Sequence, residues 1–305
     1  MNGSLINFDL IKKINSFLKK SSSLRFLDPY IFDNIDKYKE TSNCSFNDYY
    51  LEYIKSLPRL NFDSVVKISR EVYKLYGKEK EFDEILEKLR NSYSINVGSL
   101  NEADDNCIIK ASENRVLLSG TYYDVILLCH EIGHKLRFDK SVNTRDLMDS
   151  FLFETPSIIF EFAANSYLRD NYGVDIKADE LRKVHVLSTL REHSIEKSIF
   201  QIIMNLLKEK KLNAINLYKG IIKNSDIVLF LTKDEISIED CVYEAISFYS
   251  YDVGYILSNY INNSDNRIPF LDMILKYKDN GIDALFIIDE EIIKSAFGYQ
   301  KNMKY

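Results

Sequence analysis

The chain has 305 residues, of which 46% are hydrophobic and 28% charged, enough for a sizeable buried core and unlike a disordered segment. A formal net charge of −6 lacks the basic excess of a general nucleic-acid binder. Only 10 Gly and 4 Pro argue against a sandwich or barrel of many short strands and in favour of long helices.

The N-terminal stretch "MNGSLINFDLIKKINSFLKKSSS" is weakly amphipathic, with lysines interleaved among its apolar residues. It lacks the uninterrupted apolar run and the small-residue cleavage site of a secretory signal. Residues 1–93 space their apolar side chains at three and four in "LINFDLIKKINSFL", "FNDYYLEYIKSL", "FDSVVKISREVYKLYG" and "KEFDEILEKLRNSY". That pattern predicts four or five helices, with Asn47 and Asp63 near helix starts and Gly77 after a helix end. Within 105–119, "NCIIKA" and "RVLLSG" joined by "SEN" predict a β-hairpin. A helix is predicted from about Thr121 to Phe138. After a polar loop at 139–145, "RDLMDSFLFETPSIIFEFAANSYLRDNYG" predicts another, bent near Pro156. Residues 176–300 read as mostly helical, and "IVLFL" at 227–231 suits either a strand or a buried helix. The expected organisation is a helical N-terminal part, 1–100, and a second part, 101–305, which together can form one compact unit.

The longest apolar runs, such as "VILLC" at 125–129, are too short to span a bilayer. Cys44, Cys107, Cys129 and Cys241 lie far apart without a CxxC pair, as expected of reduced thiols in the cytoplasm. Neither a membrane nor nucleic acid is an expected partner.

The chain contains 4 histidines, and two of them stand in "CHEIGHKL" as His130 and His134 around Glu131. Residues i and i+4 of a helix are about 40° apart around its axis, so both imidazoles can face one ion. Zinc accepts neutral imidazole nitrogens, and a catalytic site keeps one position open for water. Glu131 stands beside the pair, placed to take a proton from that water. Gly133 leaves the helix surface bare for a close neighbour. Two unliganded histidines on so apolar a helix would be costly. A third ligand is required, and no further histidine follows at close spacing. His185 and His193 lie in ordinary amphipathic segments. Glu154 and Glu161, seven apart in the following helix, share nearly one face. One can ligate the ion while the other holds a ligand's outer hydrogen, and spacing leaves open which does which.

Taken together, "RVLLSGTYYDVILLCHEIGHKL" and "FLFETPSIIFEFAANSYL" resemble the thimet oligopeptidase and oligoendopeptidase F family of zinc metallopeptidases. The resemblance implies a mainly α, gluzincin-type catalytic domain with a small β-hairpin or sheet beside the HExxH helix. It implies one zinc ion held by His130, His134 and Glu154, Glu131 as general base, and Glu161 behind the ligands. It further implies an extended peptide substrate paired to the strand before the motif helix. "YEAISFYSYDVGYILSNYI" at 243–261 resembles the family's tyrosine-rich C-terminal helix, including Tyr249, Tyr251 and Gly254. There Tyr251 foremost, then Tyr243 or Tyr249, would face the developing oxyanion. The chain departs from the family in two ways. It has no histidine after His193, where Asp240 or Cys241 stands near the expected place, and its N-terminal lobe is much shorter.

The activity so implied is zinc-dependent endopeptidase or oligopeptidase cleavage of peptides or flexible segments, and the short lobe points to a dedicated processing role. "EFAANSYL" also faintly resembles regulatory metalloproteases of the ImmA/IrrE type, which cleave a repressor. In that family's arrangement Glu161 would be the ligand. A non-catalytic, zinc-containing peptide-binding protein is the remaining alternative, and the intact Glu131 argues against it.

Overall fold

The computed structural model of the chain describes residues 11, 12, 14, 52–91, 95–97, 116–138, 152–178, 194–233, 237–248, 250–262, 265 and 267–275. Helix predominates among them, as the scarcity of Gly and Pro requires. The first long helix, α1 (Phe62–Lys74), begins at Asn61, whose extended backbone lets its side chain accept the Ser64 N–H at 2.9 Å. Asp63 falls inside the first turn, two residues after the cap, where a carboxylate still favours the helix dipole. Val65, Ile68, Val72 and Tyr73 are its buried stripe. The chain then turns at Gly77, with φ +63°, into α2 (Glu79–Asn91), which buries Phe82, Ile85, Leu86 and Leu89.

Two short strands follow, β1 (Ile95–Val97) and β2 (Val116–Leu118). The strand expected in "RVLLSG" is present, and its described partner is β1, in parallel, with Ile95 opposite Val116. The other half of the expected hairpin, 106–111, lies outside the described residues, as does Asn47.

Helix α3 (Tyr123–Phe138) starts two residues later than predicted. Its start is fixed by one buried carboxylate. Asp124 accepts hydrogen bonds from the Ser119 N–H, the Ser119 hydroxyl and the Gly120 N–H, each at 2.7 Å, and from the Thr121 N–H at 3.3 Å. Gly120 has φ +73°, which lets the backbone fold around that carboxylate. Arg59 donates to the Ser119 carbonyl at 3.1 Å, and the Leu60 N–H to the Gly120 carbonyl at 2.9 Å. The strand end, the helix start and the segment at 58–60 are thereby held together.

Helix α4 (Thr155–Tyr172) corrects one expectation. Pro156 stands in its first turn and opens the helix instead of bending a longer one. A proline there loses no intrahelical hydrogen bond, because the first N–H groups have no partner in the helix. The helix ends at Gly173 in the left-handed conformation, φ +66°, whose N–H meets the Arg169 carbonyl at 3.1 Å. Downstream come α5 (Ser194–Lys208), α6 (Ala214–Ile222), α7 (Ser225–Lys233), α8 (Ile238–Phe248), α9 (Ser250–Asn262) and α10 (Arg267–Leu275). The "IVLFL" run lies in α7, where Ile227 is buried and Leu229 is exposed.

Helices α3 and α4 lie against each other, α9 packs along α4, and α1 packs against both. α5 packs on α8, α6 and α7. One continuous apolar cluster joins residues as distant in sequence as Val72, Phe160, Ile203 and Leu271. Among the described residues no helix is long and apolar enough to cross a membrane.

Replacing Asp124 by Ala would strand several buried donors. An unsatisfied buried donor costs about 1–3 kcal/mol, and the prediction is a loss of about 3 kcal/mol in chemical denaturation. Unchanged unfolding would show that this carboxylate does not organise the strand–helix junction.

Candidate metal centre

The histidine pair stands on the most deeply packed part of α3. Val125, Ile126, Leu128, Cys129 and Ile132 are buried around it, so the helix face that carries the pair is fixed by the apolar residues between. One helical turn separates His130 from His134. Their rings are 4.6 Å apart and nearly perpendicular at 88°, and their Nε2 atoms approach to 3.0 Å. Phe153 stacks on the His134 ring at 4.4 Å and 25°, which limits the ring's rotation. Nothing in the sequence pattern marked Phe153; only its adjacency to Glu154 could have drawn notice.

Helix α4 brings two glutamates to this pair from opposite sides. Glu154, the residue that caps α4, places Oε2 at 3.7 Å from each of the two Nε2 atoms. A triangle with edges of 3.0, 3.7 and 3.7 Å has a centre about 2.0 Å from every corner, a bonding distance for a small divalent ion. His130, His134 and Glu154 could hold a metal ion. Glu161, two turns further on, instead stands 2.8 Å from His130 Nδ1. A proton on Nδ1 would stand beside that carboxylate and leave the Nε2 lone pair directed at Glu154 and His134. The two glutamates that the sequence could not tell apart therefore meet different nitrogens of the same ring.

Two glycines allow this approach. A Cβ on Gly133 would come within 2.7 Å of Ser157 Cα and 3.0 Å of Ser157 N, both backbone atoms. A Cβ on Gly254 of α9 would meet Ile158 Cδ1 at 2.7 Å and the Glu154 carbonyl carbon at 3.3 Å. The first turn of α4 is thus held between a glycine of α3 and a glycine of α9, with Glu154 at its start.

The electrostatics suit a cation. Glu131, His134, Glu154 and Glu161 are all buried, so three carboxylates share one poorly hydrated site. Burial pushes the Glu131 carboxyl up to about 7, and the charges of Glu154 and Glu161 add to the rise. For His130 burial opposes the charged form, but Glu161 and Glu154 outweigh it and raise its pKa. A divalent ion would compensate these carboxylates and reverse that balance. The donor set, two imidazoles and one carboxylate, is one that first-row metals accept.

The tyrosines are placed less fully. Tyr251 is half-buried on α9, one turn before Gly254, and packs against the core. Tyr243 is half-buried on α8 and packs there as well. Tyr249 lies outside the described residues. His185 and His193 do also.

Two variants test the arrangement through metal content alone. Glu154→Gln should lose most bound metal after dialysis, whereas Glu161→Gln should keep it with affinity lowered about 10- to 100-fold. The opposite result would make Glu161 the ligand. Gly133→Ala forces Cβ into backbone, so both metal retention and stability should drop, the latter by about 1–3 kcal/mol. A well-folded Gly133→Ala protein with full metal content would refute the close-approach account. Comparison of the chain with protein families, with curated proteins and with solved structures found no match.

Proposed function

We propose that this chain is a zinc-dependent peptidase that hydrolyses peptide bonds in peptides or flexible segments. The observation that carries the proposal is the donor triangle, with Glu131 on the same helical turn and Glu161 at the outer nitrogen of His130. Bonds of about 2.0 Å to nitrogen and oxygen are those of zinc, and three protein donors are the number that a catalytic zinc site uses. When bound, zinc supplies a Lewis acid for the scissile carbonyl and makes an attacking water more acidic.

The remaining steps fall to the chain's own side chains. Glu131 accepts the proton of the attacking water and returns it to the leaving amine nitrogen. Glu161 fixes the tautomer and the orientation of His130 from behind. Tyr251 is assigned to the oxyanion, with Tyr243 and Tyr249 as the next candidates. What supports Tyr251 is its place one turn from Gly254, on the helix that meets the Glu154 backbone. β2 runs directly into α3 and is the backbone on which an extended peptide would align. The position of Glu161 on Nδ1 favours this assignment over the ImmA/IrrE-type arrangement, in which Glu161 would bind the ion.

Glu131→Gln should keep stoichiometric zinc and lose hydrolysis by about 10²- to 10⁴-fold, read as products of a peptide library by mass spectrometry. Chelator-treated protein should be inactive and recover with added zinc. Cleavage by Glu131→Gln at the wild-type rate would sink the mechanism. Tyr251→Phe should lower kcat by about 10²-fold with KM little changed, and an unaltered kcat would remove Tyr251 from the oxyanion role.

A further inference from the structure

A tyrosine of α1 stands behind the helix that carries the histidine pair. Tyr73 is fully buried and lies far from the histidine motif in sequence. Its hydroxyl donates to the Cys129 carbonyl at 2.7 Å. That carbonyl belongs to the peptide unit that leads into His130. In a regular helix it also faces the N–H four residues on, that of Gly133, where α4 makes its closest approach. The Tyr73 ring lies flat on Phe160 of α4, with centroids 3.9 Å apart and planes within 1°. Phe160 is the residue before Glu161. One side chain thus touches the residue preceding His130 on one helix and the residue preceding Glu161 on the other.

We infer that Tyr73 is a positioning residue of the metal centre, which sets the 2.8 Å contact between His130 Nδ1 and Glu161 from behind. The hydroxyl fixes the peptide plane from which His130 projects. The stacked ring fixes where Glu161 stands relative to it. A displacement at either point turns the imidazole and moves Nε2 away from His134 and Glu154. Tyr73 touches neither ion nor substrate, and it acts only through these two neighbours. The N-terminal helical part of the chain therefore contributes to the metal centre itself, besides flanking it. The inference rests on the metal centre and not on the peptidase reading.

Tyr76 supplies an internal control. It lies one turn on, is equally buried, donates its hydroxyl to the Asn262 side-chain oxygen and meets the edge of Phe160. Tyr73→Phe and Tyr76→Phe each remove one hydroxyl with one buried hydrogen bond, and both keep the aromatic ring. Cobalt(II) titration of the full chain, followed by the visible bands of the bound ion, reads affinity and ligand geometry without any substrate. Tyr73→Phe should weaken cobalt binding about 10- to 100-fold, as loss of an outer partner of a ligand does, and should alter the bands. Tyr76→Phe should leave both as in the wild type, while the two variants lose similar thermal stability. Equal cobalt affinity and equal spectra in the two variants would show that Tyr73 is only a core residue. Failure of the wild-type chain to bind cobalt would overturn the metal centre and this role together, whereas cobalt binding without peptide cleavage would leave the role of Tyr73 standing.

Discussion

The structure depends on one close contact, the approach of the first turn of α4 to Gly133 of α3. Side chains normally hold helices 8–10 Å apart. Here a missing Cβ lets backbone meet backbone, and the gap that would be 2.7 Å with alanine is closed by glycine alone. The contact falls one residue before His134 and three after Glu154. Any wider spacing of the two helices would separate Glu154 from both Nε2 atoms. Gly254 repeats the device on the other side, so the start of α4 is gripped between two helices.

That grip explains why polar residues tolerate so dry a site. Glu154 and Glu161 lie on α4 among Ile158, Ile159, Phe160 and Phe162, all buried. Carboxylates in such surroundings are costly unless they are paired. Glu161 is paired with His130 Nδ1, and Glu154 meets the other nitrogens of the histidine pair. The apolar packing supplies rigidity, and the polar groups supply the donor geometry. Neither would be useful without the other, because a donor triangle of this size admits little movement.

Much of this organisation is legible in the sequence. The amphipathic spacing of α1 and α2, the helix over 123–138 and the pairing of His130 with His134 follow from helical periodicity. The bare surface of Gly133 is visible as well. Pro156 misleads, since a proline can either bend a helix or open one, and only the surrounding chain distinguishes the two. The strand pairing is less legible. The neighbour in sequence expected to pair with β2 lies outside the described residues, and the described partner of β2 is β1, in parallel. Parallel pairing leaves no local turn signature by which it could be recognised.

By itself the sequence determined which residues are candidates to hold an ion and take a proton: His130, Glu131 and His134 at helical spacing, with two glutamates downstream. Spacing on one helix fixes such groups because the helix is a rigid ruler. Only the tertiary structure gives Glu154 and Glu161 different neighbours. They lie seven apart on one face, and what separates them is which end of α4 reaches which nitrogen of His130. The same holds for Tyr73, an apolar position of α1 in the sequence and a hydrogen-bond donor behind the metal helix in the fold. Contacts between helices depend on their crossing and separation, which no periodicity along a single helix encodes.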